Sequence, residues 1–256
     1  MNGSDGSVRI DCSRQIVVKT FPNASPEIAV RKARREMLCA VRLREALSGM
    51  AGLSCPEVIE IDLSPPPHVV MRLCPGIALS EFLGGVEADD GRLDRIAERI
   101  HQGLQIYVEA LSEPHYDLNF KNLLYDEATG VLSLLDFARE GTAEVNWEFP
   151  LEASLGRLIG WTCNELVRPS RLPMRKAGYM ALLRKVLARF GDQVSNERIW
   201  HAAYGTFVWL GRPGERSVRG LYYGGFGAAV VRTYLHQLGL CPDSGKYGGS
   251  QLLAMK

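Results

Sequence analysis

Two stretches near the middle of the chain decide its fold, HYDLNFKN at residues 115–122 and LLDFA at residues 134–138. Between them, residues 122–125 and 131–135 are rich in strand-forming side chains, and the intervening stretch DEATG is typical of a turn. This pattern predicts a β-hairpin that follows a polar loop.

Polar side chains meet at one edge of this predicted hairpin. Asp117 and Asn122 are five residues apart in the loop, and Asp136 ends the returning strand. Because the two strands of a hairpin run side by side, Asp136 is expected to return close to Asn122. Carboxylate and amide oxygens are hard ligands that suit Mg²⁺, which takes its remaining ligands from water and substrate phosphates. The sequence therefore predicts a magnesium site where these two carboxylates and one amide meet.

The same residues resemble the signature of the protein-kinase-like superfamily, H-R-D-L-x-x-x-N followed by D-F-G. Tyr116 stands where that family has arginine, and Ala138 stands where it has glycine. The resemblance covers roughly residues 3–140 and implies an ATP-dependent phosphotransferase. Six positions match in the expected order: His115, Asp117, Leu118, Asn122, Asp136 and Phe137.

The resemblance implies a lysine on an early strand, paired with a glutamate on the following helix and in contact with the nucleotide phosphates. Lys19, at the end of the strand-forming run IVVK, is the only lysine in the first strand pair. Glu36 lies seventeen residues later, on the apolar side of the predicted helix. The resemblance also implies that the backbone around Met71 and Leu73 would bind adenine.

The loop itself carries the predicted catalytic residues. The resemblance implies that Asp117 accepts or orients the proton of the acceptor hydroxyl. Lys121, in the same loop, is a candidate for neutralising charge on the transferred phosphoryl group. His115 is expected to brace the loop by hydrogen bonding rather than to transfer protons. Asn119 stays open between a scaffolding role and a role in the site.

The expected fold is α+β and bilobal, as the resemblance implies. A small β-rich N-lobe is expected at residues 1–73, and a larger, mainly helical C-lobe at residues 74–256. Hydrophobic periodicity predicts one N-lobe helix, at residues 25–47, between two pairs of strands. The predicted strands of the N-lobe cover residues 8–12, 15–21, 58–63 and 68–73, and the predicted C-lobe helices cover about 93–112, 151–167, 173–190, 196–210 and 225–239.

Two departures from the family pattern bear on mechanism. The glycine-rich phosphate cover is reduced to two glycines within residues 3–8. Tyr116 removes the arginine that pairs with an activation-loop phosphate in regulated protein kinases, so that form of switching is not expected. The arginine-rich group Arg31, Lys32, Arg34 and Arg35 is interpreted as a solvated helix face, with a patch for a partner or an acidic substrate as the alternative.

The short segment after Asp136 favours one branch of the superfamily. It resembles the aminoglycoside phosphotransferase and choline kinase branch. The residues Asp117, Leu118 and Asn119 resemble the corresponding stretch of bacterial kinases of the lipopolysaccharide core sugar. Both imply transfer to a hydroxyl of a small-molecule or sugar-like acceptor. Two alternatives remain open, a reduced Ser/Thr protein kinase and a pseudokinase-type nucleotide-binding regulatory module. The reduced glycine cover favours the regulatory module, and the intact set of polar site residues opposes it.

Composition excludes several other classes of protein. Among the 256 residues, 30 lysines and arginines nearly balance 29 acidic residues, so charge gives no strong nucleic-acid signal. Six cysteines without a Cys-x-x-Cys pair argue against a zinc ribbon or a disulfide scaffold and favour a reducing compartment. We therefore expect a cytoplasmic location. No apolar run reaches the roughly 18 residues needed to span a bilayer, so a transmembrane segment is not expected.

Overall fold

The computed structural model describes residues 7–22, 24–138, 148–166, 175–210 and 226–241. Over these residues the chain is an α+β protein with two four-stranded sheets and a mainly helical second half. Two stretches discussed above lie outside the described residues: the glycines before residue 7 and the segment 139–147.

The first sheet has the strand order β1-β2-β5-β4, and every neighbouring pair is antiparallel. The predicted hairpin and the two later strands are confirmed, because alternating apolar residues pair them around the central strands β2 and β5. The strands are β1 (Ser7–Asp11), β2 (Ile16–Thr20), β4 (Val58–Asp62) and β5 (His68–Arg72).

Helix α1 (Pro26–Ala46) packs across this sheet and confirms the helix predicted for residues 25–47. Proline at the first helical position and Glu27 in the first turn favour a helix start at this point. The buried face is made largely of small residues, which let the helix lie close to the sheet. That face consists of Ala29, Ala33, Glu36, Cys39, Ala40 and Leu43.

The second sheet has the order β3-β8-β7-β6, in which β3 runs parallel to β8 and the other pairs are antiparallel. Its centre is the predicted hairpin, β7 (Leu123–Asp126) and β8 (Val131–Leu134). The sequence did not predict the two-residue strands β3 (Leu53–Ser54) and β6 (Ile77–Ala78). Because β3 precedes residue 73, the N-terminal part of the chain contributes to both sheets.

The link between the sheets depends on Gly76. Its φ of 104° is accessible to glycine and strained for other residues. A Cβ atom here would also lie 2.5 Å from the carbonyl oxygen of Tyr125. The chain therefore turns sharply at this glycine, between β5 and β6.

Helices make up most of the remainder, and the predicted ones are confirmed to within a few residues. The short α2 (Leu79–Phe82) was not predicted, because four residues are too few to show a period. The longer helices are α3 (Arg92–Leu111), α4 (Pro150–Leu166), α5 (Arg175–Phe190), α6 (Asn196–Leu210) and α7 (Phe226–Gln237).

Helices α4 and α6 approach each other closely. At Gly156, a Cβ atom would meet the Cβ of Ala202 at 2.3 Å, and at Gly160 it would meet the carbonyl oxygen of Ala203 at 2.6 Å. This contact fixes α4, which in turn supports the loop at residues 115–122. Among the helices in the described part of the chain, none is both long and apolar enough to cross a membrane.

Candidate functional site

Lys19 lies at the centre of the candidate site, on strand β2. Its ammonium nitrogen donates to Oε2 of Glu36 on α1 at 2.9 Å and to Oδ1 of Asp136 at 2.5 Å. Lys19 is 7% exposed and Glu36 is 1% exposed, so this ion pair lies away from solvent. The structure thus brings together three residues that the sequence analysis assigned to one site.

The charges in this group depend on one another. Burial alone would lower the pKa of Lys19, but the carboxylates of Glu36 and Asp136 outweigh it and raise that pKa above its ordinary value. Complete burial raises the pKa of Glu36, and the Lys19 ammonium opposes this rise. Lys19 is therefore a fixed positive charge at neutral pH, held on the central strand β2 of the first sheet.

The backbone around Asp136 is held on both sides. The amide of Leu135 donates to the carbonyl oxygen of Asn122 at 2.9 Å, and the amide of Phe137 donates to Oε2 of Glu36 at 2.9 Å. Asp136 itself has a φ of 65°, a left-handed conformation that is uncommon for a residue other than glycine. Such conformations persist where the surroundings impose them, and they cluster at functional sites.

Asp117 and Asn122 face each other across the loop, as the sequence predicted. The side-chain amide nitrogen of Asn122 donates to the carbonyl oxygen of Asp117 at 2.8 Å and lies 3.3 Å from its Oδ2. The Asn119 side chain donates to the same carbonyl at 2.9 Å and accepts from the Lys121 amide at 2.9 Å. The Asn119 side chain thus links the backbone of two loop residues, Asp117 and Lys121.

His115 braces the loop, as expected. Its Nε2 lies 3.0 Å from the carbonyl oxygen of Leu135, and its backbone amide donates to Oγ of Ser154 on α4 at 3.0 Å. Burial lowers the pKa of His115 to about 4, so the ring is neutral at pH 7 and Nε2 is the protonated nitrogen. The ring also packs against Phe137 and Tyr107, at centroid distances of 5.5 Å and 5.0 Å.

Lys121 is turned towards α4. Its ammonium nitrogen donates to Oε1 of Glu165 at 3.0 Å, and half of its side chain is exposed. Together with the Ser154 contact, this ion pair attaches the loop to α4 at both of its ends. A contact of Lys121 with a phosphoryl group would require its ammonium to leave Glu165.

The two residues predicted to bind adenine are both engaged by the protein. Met71 is buried within β5, paired with Val17 on one side and Val58 on the other. The backbone amide of Leu73 donates to the carbonyl oxygen of Gln15 at 2.8 Å. That amide is therefore occupied, and a base at this edge would have to displace Gln15 or use a different group.

Arg35 contradicts the interpretation of the arginine-rich group as a solvated face. Its side chain is 18% exposed, and its Nε donates to the carbonyl oxygen of Phe137 at 3.1 Å. Its guanidinium also forms an ion pair with Glu113 and lies over the ring of Tyr116, 5.4 Å from the centroid. Arg35 thus fills from α1 the space beside Tyr116, the residue that replaces the arginine of the family signature.

Sequence reasoning also missed an apolar ledge beside Lys19, formed by Val8 and Ile10 of β1. Val8 pairs with Lys19 and Ile10 pairs with Val17, so these side chains share one face of the sheet. Val8 is 51% exposed and Ile10 is 56% exposed, which is unusual for large apolar residues next to a buried ion pair. The register of the β1–β2 hairpin would have revealed this ledge, because it places Val8 and Ile10 on the same face as Lys19.

The donor chemistry of the site fits a hard cation. Asp136 is 36% exposed at its side chain, and the Asn122 amide nitrogen points to Asp117, so the amide oxygen of Asn122 is not used by that contact. Carboxylate and amide oxygens are the ligands that Mg²⁺ accepts, with water and phosphate completing its shell. Within the described ranges, no group of three or more His, Cys, Asp and Glu side chains could hold a metal by itself.

No protein-family model matches the chain, and no curated protein sequence matches it.

Proposed function

We propose that this chain is an ATP-dependent phosphotransferase that moves the γ-phosphoryl group of Mg·ATP to a hydroxyl of a small-molecule or sugar-like acceptor. The observation that carries the proposal is the triad of the buried Lys19 and Glu36 with the partly exposed Asp136. Burying a lysine and a glutamate that are far apart in the chain is costly, and hydrophobic residues of similar size often stabilise a fold equally well. Such a triad is better explained by a ligand that needs its charges than by stability.

The proposed nucleotide site lies between the two sheets, which correspond to the two lobes of the inferred kinase-like fold. Lys19 would bind the α- and β-phosphates as a fixed ammonium, held in place by Glu36. The apolar ledge of Val8 and Ile10 supports this placement, because exposed apolar side chains beside a charged group suit a planar base with a phosphate tail.

Asp136 and Asn122 are the residues that would hold Mg²⁺. Bound Mg²⁺ would neutralise charge on the phosphates during transfer. The left-handed backbone at Asp136 and the hydrogen bonds on both sides of it set the direction of its carboxylate before any ligand arrives. Such preorganisation reduces the reorganisation needed during reaction.

Asp117 is the proposed catalytic residue. In the proposed step, the acceptor hydroxyl oxygen forms a bond to the γ-phosphorus while the bond from that phosphorus to the β-phosphate oxygen breaks, and ADP leaves. The hydroxyl proton passes to the Asp117 carboxylate and from there to water. Positioning and charge neutralisation supply most of the rate enhancement in reactions of this class. Asn122 contributes by orienting Asp117 through the contacts at 2.8 Å and 3.3 Å.

The length of the segment after Asp136 favours a small acceptor over a protein. Helix α4 begins at Pro150, fourteen residues after Asp136. A peptide substrate needs an extended binding surface. The segment between Asp136 and Pro150 is too short to form a large one. This supports the resemblance to the aminoglycoside, choline and lipopolysaccharide core sugar kinases. We also propose a cytoplasmic location, since ATP is the donor and all six cysteines are unpaired.

A nucleotide-binding regulatory module is the second candidate. Two contacts favour it: the Leu73 amide is occupied by Gln15, and Lys19 is bonded directly to Asp136 at 2.5 Å. In such a module the triad would hold the two sheets together and no phosphoryl transfer would follow.

Transfer from ATP radiolabelled on the γ-phosphate tests the proposal. Candidate acceptors are sugars, aminoglycosides, lipid A-type glycolipids, nucleosides and RNA, with a generic protein substrate as a further arm. Label should appear in one acceptor class with the wild-type protein, disappear with Asp117→Ala, and persist with Asp89→Ala, which changes an exposed carboxylate outside the site. Nucleotide binding without transfer to any acceptor would favour the regulatory module, and transfer that survives Asp117→Ala would contradict the assignment.

A further inference from the structure

A concave surface lies on the outer side of α1, away from Lys19. It is a groove of about 780 Å³ between α1 and the end of α3. Its floor contains Cys39 and the Arg35–Glu113 ion pair. Arginine and apolar side chains alternate along its walls: Arg31, Arg34, Arg42, Val30, Leu38 and Leu111.

The groove is positively charged. Four arginines and two glutamates line it, and one of those glutamates, Glu113, is already paired with Arg35. The lining therefore carries two more arginines than glutamates. Arg34 and Arg42 are exposed and form no ion pair with any residue of the described ranges. Leu38, between them, is 49% exposed although it is a large apolar residue.

The shape of the groove suits a chain segment. Its lining runs along α1 from Pro26 to Arg42, which is about 24 Å at the helical rise per residue. An extended segment of about seven residues covers that length. A flat bilayer surface would touch the rims of such a groove without reaching its floor.

We propose that this groove binds an acidic segment of a partner protein, with carboxylates against Arg34 and Arg42 and an apolar side chain against Leu38. Arg34 and Arg42 are two helical turns apart, so acidic residues on both sides of one apolar residue match the pattern. The proposal does not depend on the proposed phosphotransferase activity, because it concerns binding at a surface that Lys19, Asp117 and Asp136 do not line.

Selection of random twelve-residue peptides displayed on phage, with the full chain as bait, tests this surface. We expect enriched peptides to carry Asp or Glu on both sides of an apolar residue. The best peptide is then labelled with fluorescein and titrated by fluorescence anisotropy. The Arg34→Glu/Arg42→Glu variant should weaken its binding at least tenfold, and Leu38→Asp should weaken it as well.

The matched control is Arg9→Glu/Arg44→Glu, which changes net charge equally at exposed arginines outside the groove. It should change affinity less than twofold. Equal losses in the two double variants would overturn the proposal in favour of unspecific charge attraction, and so would enrichment of peptides without acidic residues. Vesicles of phosphatidylcholine and phosphatidylglycerol form the last arm. If vesicles bind through Arg34 and Arg42 while no peptide does, the surface meets membranes and the proposal is wrong.

Discussion

The ammonium nitrogen of Lys19 lies 2.5 Å from Oδ1 of Asp136, a residue 117 positions further along the chain. This contact joins the first sheet to the end of the β7–β8 hairpin. It also leaves Lys19 between two carboxylates of unequal exposure, because Glu36 is buried and Asp136 reaches solvent. We therefore expect the stabilising free energy of these contacts to be concentrated in the Lys19–Glu36 pair.

Lys19→Met should destabilise the protein by about 3 kcal/mol, because it removes the positive charge that balances the buried carboxylate of Glu36. The double variant Lys19→Met/Glu36→Leu should recover most of that loss, since both buried charges are then gone. Urea unfolding followed by circular dichroism measures both values. Equal stability of the single and double variants would contradict the proposed concentration of energy in this pair. Neither variant should transfer phosphate.

Asp136→Asn should remove most of the effect of Mg²⁺ on ATP affinity. Asparagine tolerates the left-handed backbone at this position, so the change removes charge and keeps the local conformation. Calorimetric titration with ATP, in Mg²⁺ and in EDTA, is the measurement. We expect at least a tenfold gain from Mg²⁺ in the wild type and less than a twofold gain in the variant. A full Mg²⁺ effect in Asp136→Asn would place the metal elsewhere.

Ile10→Ser should raise KM for ATP about fivefold to tenfold with little change in kcat, because it removes apolar contact area worth about 1 kcal/mol from the ledge. Steady-state kinetics at saturating acceptor measure both constants. Ile59→Ser is the matched control, since Ile59 is a comparably exposed isoleucine on the edge strand β4. If both variants behave alike, the ledge has no specific role in binding the base.

His115 should make stability depend on pH between about 6.5 and 4. Its pKa is lowered to about 4 in the folded protein, so the unfolded chain binds a proton within this window and the folded chain does not. The free energy of unfolding should therefore fall as the pH is lowered from 6.5 to 4, by about 3 kcal/mol from this residue.

The pH dependence is measured by urea unfolding at several pH values. His115→Asn should flatten the dependence in this window, whereas His236→Asn, at an exposed histidine, should leave it unchanged. An equally steep dependence in His115→Asn would assign the effect to other groups.

Arg35→Lys should lower kcat about tenfold with an unchanged KM for ATP. Arg35 is a positioning residue, because it holds Phe137 and Glu113 at once and lysine cannot supply donors in both directions. Glu113→Gln should give a similar loss, and the double variant should cost less than the sum of the two because the residues act as a pair. Arg34→Lys, one position earlier and exposed, is the control. A loss confined to KM would show a direct role in binding instead.

The sequence predicted the regular elements well, because their apolar residues recur with the period of a helix or a strand. It missed β3, β6 and α2, which contain only two to four residues. Elements this short show no period of their own. They form because distant strands, such as β8 for Leu53, offer them hydrogen-bond partners.

The residues of the candidate site could be predicted from the sequence, but their hydrogen-bond and ion-pair partners could not. Asp117, Asn122 and Asp136 lie close together in the sequence, so their spacing in the motif was enough to predict that they meet. The contacts of Lys121 with Glu165 and of the Leu73 amide with Gln15 depend on where distant elements pack, which spacing does not encode. Arg35 was misjudged for the same reason, because its burial depends on the loop that contains Glu113.

Helix α1 forms hydrogen bonds with both backbone groups of Phe137. Two consecutive residues of the helix hold them, since Glu36 accepts from the Phe137 amide and Arg35 donates to its carbonyl oxygen. Rotating or withdrawing α1 would break both contacts and the pair with Lys19 in a single event. We therefore expect α1 and the segment around Phe137 to be displaced together, never one without the other.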